Sequence, residues 1–391
     1  MGPADSSSSS GPREFATLDL LRFLAAQAVV FYHLLFLSWV EAPAAGGIGA
    51  VTRSGTRFDT AVPWASLGWL GVPVFFVISG FVILMSSGDK TPSQFAIGRA
   101  KRILPGLWTF SLLSAAVVLM TGVLAPAEAL RRLIRSMALF PFGPWIDGAI
   151  WTLVAEALFY ALIFAAIRFR LLAHMTVLTS AITGFNLVFW SGILLAASGL
   201  LGRDVQDFAD LAASYRLSVT LVTTNCFFLV GIALYQVHAG KDVARNLAIY
   251  AINFLIGMVV VYFFARASLG VVEYGQNAHV AAIVWAAAIL LASAGVMLPV
   301  WTTRRWARAA KAMGLLTYPL YLVNQITGGY LFGVIERTTH SPVLAVVAAI
   351  LFCNLLAGAF SFGIERRLQS ALGALLERAL RHFRQRLRFQ V

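Results

Sequence analysis

The chain has 391 residues, 59% of them hydrophobic and only 12% charged, with a formal charge of +13. A soluble domain carries about 25% charged residues, so this composition excludes an ordinary soluble enzyme and indicates an integral membrane protein. The positive charge does not indicate a nucleic-acid partner, because the basic residues are spread over short segments between apolar runs, where anionic lipid attracts them.

Residues 1–15 are polar and Ser-rich, with no basic stretch ahead of an apolar run. They read as a disordered leader rather than a cleavable signal, which leaves the first apolar run in place. Ten apolar runs follow, at 18–40, 67–87, 105–124, 149–167, 172–200, 216–237, 246–265, 279–300, 314–335 and 341–363. Each is near or above the roughly 20 residues a spanning helix requires. The run at 105–124 opens at Pro105, which suits a first helical turn. The run at 172–200 carries Gly184, Gly192 and Gly199 and is expected to tilt, kink or leave the membrane early. No repeat of fixed period and no soluble domain is visible. The predicted fold is an all-α polytopic integral membrane helix bundle with about ten transmembrane helices. It divides into a cytoplasmic leader at 1–16, a transmembrane domain at 17–364 and a basic tail at 365–391.

With the N-terminus in the cytoplasm, segments on that side hold 20 of the 30 basic residues, among them Lys90, Arg99, Lys101 and Arg102. The positive-inside rule therefore predicts both termini in the cytoplasm. Arg131, Arg132 and Arg135 dissent; they read as a short interfacial helix or as the sign of a misplaced span. The tail from Arg366 to Arg388 reads as an amphipathic basic helix on anionic membrane lipids.

Two ionisable residues, Arg22 and His33, interrupt the first run. Each costs roughly 2.5–3.5 kcal/mol on insertion scales, which makes both functional candidates. Eleven residues separate them, three helical turns plus about 20°, so they share one face about 16 Å apart along the axis. Arg22 lies near one membrane surface and His33 well inside. A neutral imidazole there can take a proton from a hydroxyl that attacks a carbonyl carbon, or can itself become acylated. Glu156 is another ionisable residue inside a run, about one turn in, with Tyr160 four residues on and Trp151 at the outer mouth.

The segment LDLLRFLAA from Leu18, ending at Tyr32 and His33, resembles the opening helix of the membrane-bound acyltransferase 3 family, whose signature is Arg, ten residues, then His. GVPVFFVISGF at 71–81 looks like that family's second span, and RAKRILP at 99–105 like its basic approach to the third. WTLVAEALFY at 151–160 is similar to its fourth, and TYPLYL at 317–322 to a late span. The resemblance covers most of the chain in the family's order. Two positions depart: Pro73 stands where the family usually has a polar residue, and Asn324 where it usually has His. Asn cannot titrate, so no acid–base role is expected at that position.

The resemblance implies a bacterial inner-membrane O-acyltransferase, multi-pass, with no permanently bound cofactor. The donor is acyl-coenzyme A, most often acetyl-coenzyme A, reaching His33 from the cytoplasm. The acceptor is a hydroxyl of a periplasmic or lipid-linked saccharide or glycoconjugate. His33 is then the general base, with Glu156 as a second catalytic candidate that positions an acceptor hydroxyl or pairs with an arginine. Arg22, Arg99 and Arg102 hold the donor's phosphates; Lys101 reads as a membrane anchor. Trp151, Tyr160, Tyr321 and Asn324 are the expected acceptor contacts. Among Trp64, Trp69, Trp145 and Trp151, most are expected to be interfacial belt residues. Relatives with a periplasmic esterase-like domain extend further at the C-terminus, so transfer here is expected to finish in the membrane domain alone or with a separate partner.

Other candidates carry less. Cys226 and Cys353 sit alone in apolar runs and read as packing residues, with no disulfide or metal spacing. Asp204, Asp207 and Asp210 read as a solvated helix face. The competing class is a proton-coupled transporter using buried Arg22, His33 and Glu156. Against it stand the missing inverted repeat and the ordered motifs.

Overall fold

The computed structural model describes residues 15–200, 207, 214–269, 277–298 and 303–388. Most of the leader, Asp204, Asp210 and the last three residues of the tail lie outside them. The first run folds as α1 (Ala16–Tyr32), continued by a π-helical turn at His33–Leu37 and a last turn at Ser38–Val40. Then come α2 (Gly71–Met85), α3 (Pro92–Met120), the short α4 (Pro126–Met137), α5 (Ile150–Arg168) and α6 (Met175–Leu195). They are followed by α7 (Asn225–His238), α8 (Val243–Leu269), α9 (Ala278–Met297) and α10 (Arg304–Val323). A π turn at Asn324–Gly328 joins α10 to α11 (Gly329–Thr339). Finally α12 (Pro342–Ala359) passes through a π turn at Phe360–Ile364 into α13 (Glu365–Arg388).

Eight helical segments among the described residues are long and apolar enough to cross a membrane. Their outward faces carry side chains such as Leu162, Leu255, Leu291 and Leu355, each more than half exposed. Apolar surface on that scale needs lipid around it, and the chain is a multi-pass membrane protein. The two remaining runs are helical but different. The run at 216–237 is broken into Tyr215–Val219 and the 14-residue α7, shorter than the roughly 20 residues a full span needs. The run at 314–335 carries Asn324, Gln325 and Thr327 at its centre, where the helix loosens into the π turn.

Pro105 does not open a helix, contrary to the sequence reading. The helix starts at Pro92, behind a capping box in which Thr91 and Gln94 satisfy each other's backbone N–H groups, and Pro105 lies in its interior. Arg99 and Arg102 are therefore helical and share a face. The dissenting arginines form the amphipathic α4, where Arg131 and Arg132 each donate to Glu128 at 2.7 Å.

The centre of the bundle is built by α2 against α7. A Cβ on Gly80 would lie 2.2 Å from the Phe228 carbonyl oxygen, and one on Gly231 would lie 1.9 Å from that of Val77. The two backbones touch because both positions are glycine, the close approach membrane helices use in place of a hydrophobic drive. Gly231→Ala is therefore expected to lower stability by about 1–3 kcal/mol through overpacking, seen as an earlier thermal transition in detergent. An unshifted transition would show that the helices separate freely. Farther out, Asn186 Nδ2 donates to Asn225 Oδ1 at 2.6 Å and Asn253 Oδ1 at 2.9 Å, tying α6 and α8 to the start of α7.

Candidate active site

The chain order of α1, α2, α3, α5 and α10 brings the sequence's ionisable candidates to two cavities that meet inside the bundle. The larger, of about 500 Å³, is lined by Arg22, Arg99, Lys101, Arg102, Glu156 and Tyr160, among others. Its walls come from α1, α2, α3, α5 and α10, with Gln369 of α13. The Arg99 guanidinium lies 5.7 Å from the ring centres of both Phe95 and Tyr160, and its buried Nε has no hydrogen-bond partner among the described residues. Arg102 lies 5.7 Å from the Tyr318 ring centre and pairs with Glu365 of α13 at 3.2 Å. Glu156 Oε1 accepts from Ser79 Oγ at 2.8 Å and from the Tyr160 hydroxyl at 2.5 Å. Three arginines, of which Arg99 has no ion-pair partner among the described residues and lies across aromatic faces, have the chemistry to hold a polyanion.

The smaller cavity, of about 320 Å³, is lined by His33, Tyr32, Trp69, Trp151, Phe227 and Phe264, with Gly148, Ala149 and Gln325 on one side. Val72, Phe76 and Tyr321 line both cavities, so the two adjoin across these three side chains. The rings give flat apolar walls of the kind on which a sugar face can lie.

His33 opens one π turn and Asn324 opens another, and the two side chains are hydrogen-bonded, His33 Nδ1 to Asn324 Oδ1. The Asn324 amide nitrogen donates to the Leu320 and Tyr321 carbonyls, both at 2.9 Å. That fixes the amide with its oxygen toward the ring, so Nδ1 carries the hydrogen and Nε2 is left with its lone pair. A helix interrupted by a π turn frees a carbonyl and re-aims a side chain, which is why such turns gather at sites of function.

Several predicted site residues fall elsewhere than the sequence suggested. Asn324, expected as an acceptor contact, is wholly buried and lines neither cavity; its side chain is hydrogen-bonded to His33. Glu156 is the seventh residue of α5, almost two turns in, which carries it past Tyr321 into the arginine cavity together with Tyr160. Neither shares the His33 cavity. Lys101, read as an anchor, also lines the arginine cavity. Trp151 and Trp69 line the His33 cavity, Trp145 is buried with its Nε1 on the Phe140 carbonyl at 3.0 Å, and Trp64 is exposed. The sequence reading gave no site role to Gln325, Tyr318 or Gln369, and left Trp69 among the four interfacial tryptophans. The Asn324–Gln325 pair inside an apolar run was the signal available for the first. Cys226 and Cys353 are buried free thiols.

Asp147, in the turn leading into α5, is 3% exposed; its Oδ1 accepts from the Ala149 N–H at 2.9 Å and its Oδ2 has no partner among the described residues. Burial, reinforced by the charge of Glu41, pushes this carboxyl up to about 7. The folded protein then holds a proton that the unfolded chain releases near pH 4, so stability declines as pH rises from about 4 to about 7 and levels off above. Asp147→Asn keeps the accepting oxygen and removes the charge. It is expected to stabilise the protein at pH 8 by on the order of 3 kcal/mol, with the gain fading toward pH 4. Melting curves at the two pH values check this; an equal effect at both would contradict it.

An acyltransferase domain of the acyltransferase 3 family matches residues 15–361. The chain is 36% identical over 110 residues to the exopolysaccharide production protein ExoZ of Rhizobium meliloti (strain 1021), covering 25% of this chain and 33% of that one. It is 30% identical over 124 residues to the peptidoglycan O-acetyltransferase OatA of Listeria monocytogenes, covering 30% of this chain and 15% of that one. These matches thus span a third or less of either relative's length. No solved structure matches the chain. With the family's domain running from the start of α1 to the π turn before α13, this chain belongs to the membrane-bound acyltransferase 3 family.

Proposed function

We propose that the protein is a bacterial inner-membrane O-acyltransferase. It moves an acyl group, most often acetyl, from cytoplasmic acyl-coenzyme A to a saccharide hydroxyl presented from the periplasmic side. The observation that carries this reading is the adjoining of the two cavities. A cluster of arginines suited to phosphates adjoins an aromatic chamber holding an imidazole whose Nε2 has no partner among the described residues. Arg22 and His33 lie about 16 Å apart along α1, a span that an extended pantetheine arm can bridge with its phosphates among the arginines and its thioester at His33.

His33 Nε2 removes the proton of the acceptor hydroxyl as the oxygen attacks the thioester carbon. Asn324 holds the ring in the tautomer this requires. Glu156, hydrogen-bonded to Ser79 and Tyr160 within the donor cavity, organises the arginines rather than the acceptor. The two relatives, named for exopolysaccharide production and peptidoglycan O-acetylation, support a glycan acceptor. The basic faces of α3 and α13 lie toward the cytoplasmic leaflet, where anionic lipid holds them.

Acyl transfer needs no ion gradient. Detergent-solubilised protein given acetyl-coenzyme A and an exopolysaccharide or peptidoglycan fragment is expected to release free thiol. Substrate movement that requires sealed vesicles and a proton gradient, with no thiol released, would favour a carrier instead.

A further inference from the structure

The reaction proposed above needs a hydrogen-bond donor for the carbonyl oxygen as well as a base for the hydroxyl. On that reading, we infer that Gln325 is a further catalytic residue: its side-chain Nε2, together with the N-terminus of α5, receives the oxyanion of the tetrahedral intermediate formed beside His33.

Gln325 is 3% exposed and lines the His33 cavity. Its Oε1 accepts from the Ala149 N–H at 2.9 Å. Turning the amide over would set two N–H groups against each other, so Nε2 is the end that faces away from that bond. Nε2 has no acceptor among the described residues. A buried amide with unused donors is destabilising, and a bound oxyanion would satisfy them.

The backbone beside it is shaped for the same purpose. A Cβ on Gly148 would lie 3.0 Å from Nε2 and 3.2 Å from Oε1, so glycine lets the Gln325 amide lie against the chain. Gly148 and Ala149 line the same cavity directly ahead of α5, a helix of 19 residues. The N–H groups of Ala149, Ile150, Trp151 and Thr152 are already taken, by the Asp147 and Gln325 side chains and by the Asp147, Gly148 and Ala149 carbonyls, so α5 contributes the dipole of its aligned peptides, which favours negative charge there. Asn324 and Gln325 are consecutive in one π turn, so a single backbone irregularity sets both the orientation of the base and the placement of the donor.

The step balances without a further reagent. The acceptor oxygen bonds to the thioester carbon, the C=O π pair moves onto oxygen, and the hydroxyl proton passes to His33 Nε2. On collapse the pair re-forms C=O, the C–S bond breaks, and the leaving thiolate takes the proton from the imidazolium. The products are an O-acyl ester and coenzyme A. Negative charge rests on the carbonyl oxygen between the two halves, and a single such donor is worth about 10²–10³ in turnover.

The test compares wild type, Gln325→Met and Gln325→Glu for thiol release from acetyl-coenzyme A with a glycan fragment, alongside acetyl-coenzyme A binding and melting temperature. Met keeps the length and loses both polar atoms; Glu keeps the acceptor for Ala149 but cannot donate when ionised. The expected result is a fall in kcat of about 10²-fold or more in both, with donor affinity unchanged. Wild-type turnover in Met would assign Gln325 to packing around Ala149 and overturn the inference, as would activity of the Glu variant that does not fall as rising pH ionises its carboxyl. Absence of thiol release by wild type itself would instead overturn the acyl-transfer reading on which the inference rests.

Discussion

Replacing His33 by alanine is expected to lower acyl transfer by about 10²–10⁴-fold, the usual worth of a positioned general base, while acetyl-coenzyme A still binds with wild-type affinity. The separation follows from the geometry. His33 lines the aromatic cavity, and the arginines line the other. The ring is 6% exposed and its contact with Asn324 is buried, so its loss strands one amide oxygen and costs about 1–3 kcal/mol of stability. His33→Gln serves as a control, since a Gln N–H can keep the bond to Asn324 without supplying a base. Turnover and equilibrium binding on the same preparation decide the matter. Full activity in His33→Ala would remove His33 from the chemistry.

The second large effect is expected on the donor. Arg99→Ala should weaken acetyl-coenzyme A binding about 10–100-fold, the value of one or two charge-assisted hydrogen bonds. The Arg99 guanidinium has no ion pair to lose among the described residues, so the protein gives up little of its own stability. Arg102→Ala should weaken binding at least as much, because it also leaves the Glu365 carboxylate facing the donor's phosphates without its partner. Lysine at either position should fall between, keeping the charge but losing the planar fork. Isothermal titration with acetyl-coenzyme A reads both. Unchanged affinity in both alanine variants would take the phosphates out of this cavity.

The residues that carry these expectations were legible before any coordinates. An arginine or histidine inside an apolar run is too costly to be incidental, and Arg22 and His33 stood out on that ground alone. Arg99 and Arg102 followed from their spacing. The division of labour between the cavities was not legible, because hydropathy does not say how far down a helix a residue sits relative to its neighbours. Glu156 looked close to the outer mouth, and the actual start of α5 puts it in the arginine-lined cavity. Asn324 read as a departure that removes an acid–base group, and as an acceptor contact. Its hydrogen bond to His33, 291 positions away in the chain, was not legible. The start of α3 was legible and missed: Thr91 followed by Pro92 and Gln94 is a capping signature, hidden because the basic residues after it ended the apolar run. Gly80 and Gly231 could be seen as small residues in apolar runs, but not as partners across one contact. That pairing depends on the register of α2 against α7, which no local pattern encodes.

The most direct test follows the acyl group itself. Purified wild-type protein in detergent would be incubated with acetyl-coenzyme A labelled in the acetyl group and with an exopolysaccharide or peptidoglycan fragment. The expected product is an alkali-labile acetyl ester on the saccharide, formed in step with free coenzyme A thiol and absent with His33→Ala. Label that stays on the donor, in folded protein that binds acetyl-coenzyme A with normal affinity, would contradict acyl transfer at His33.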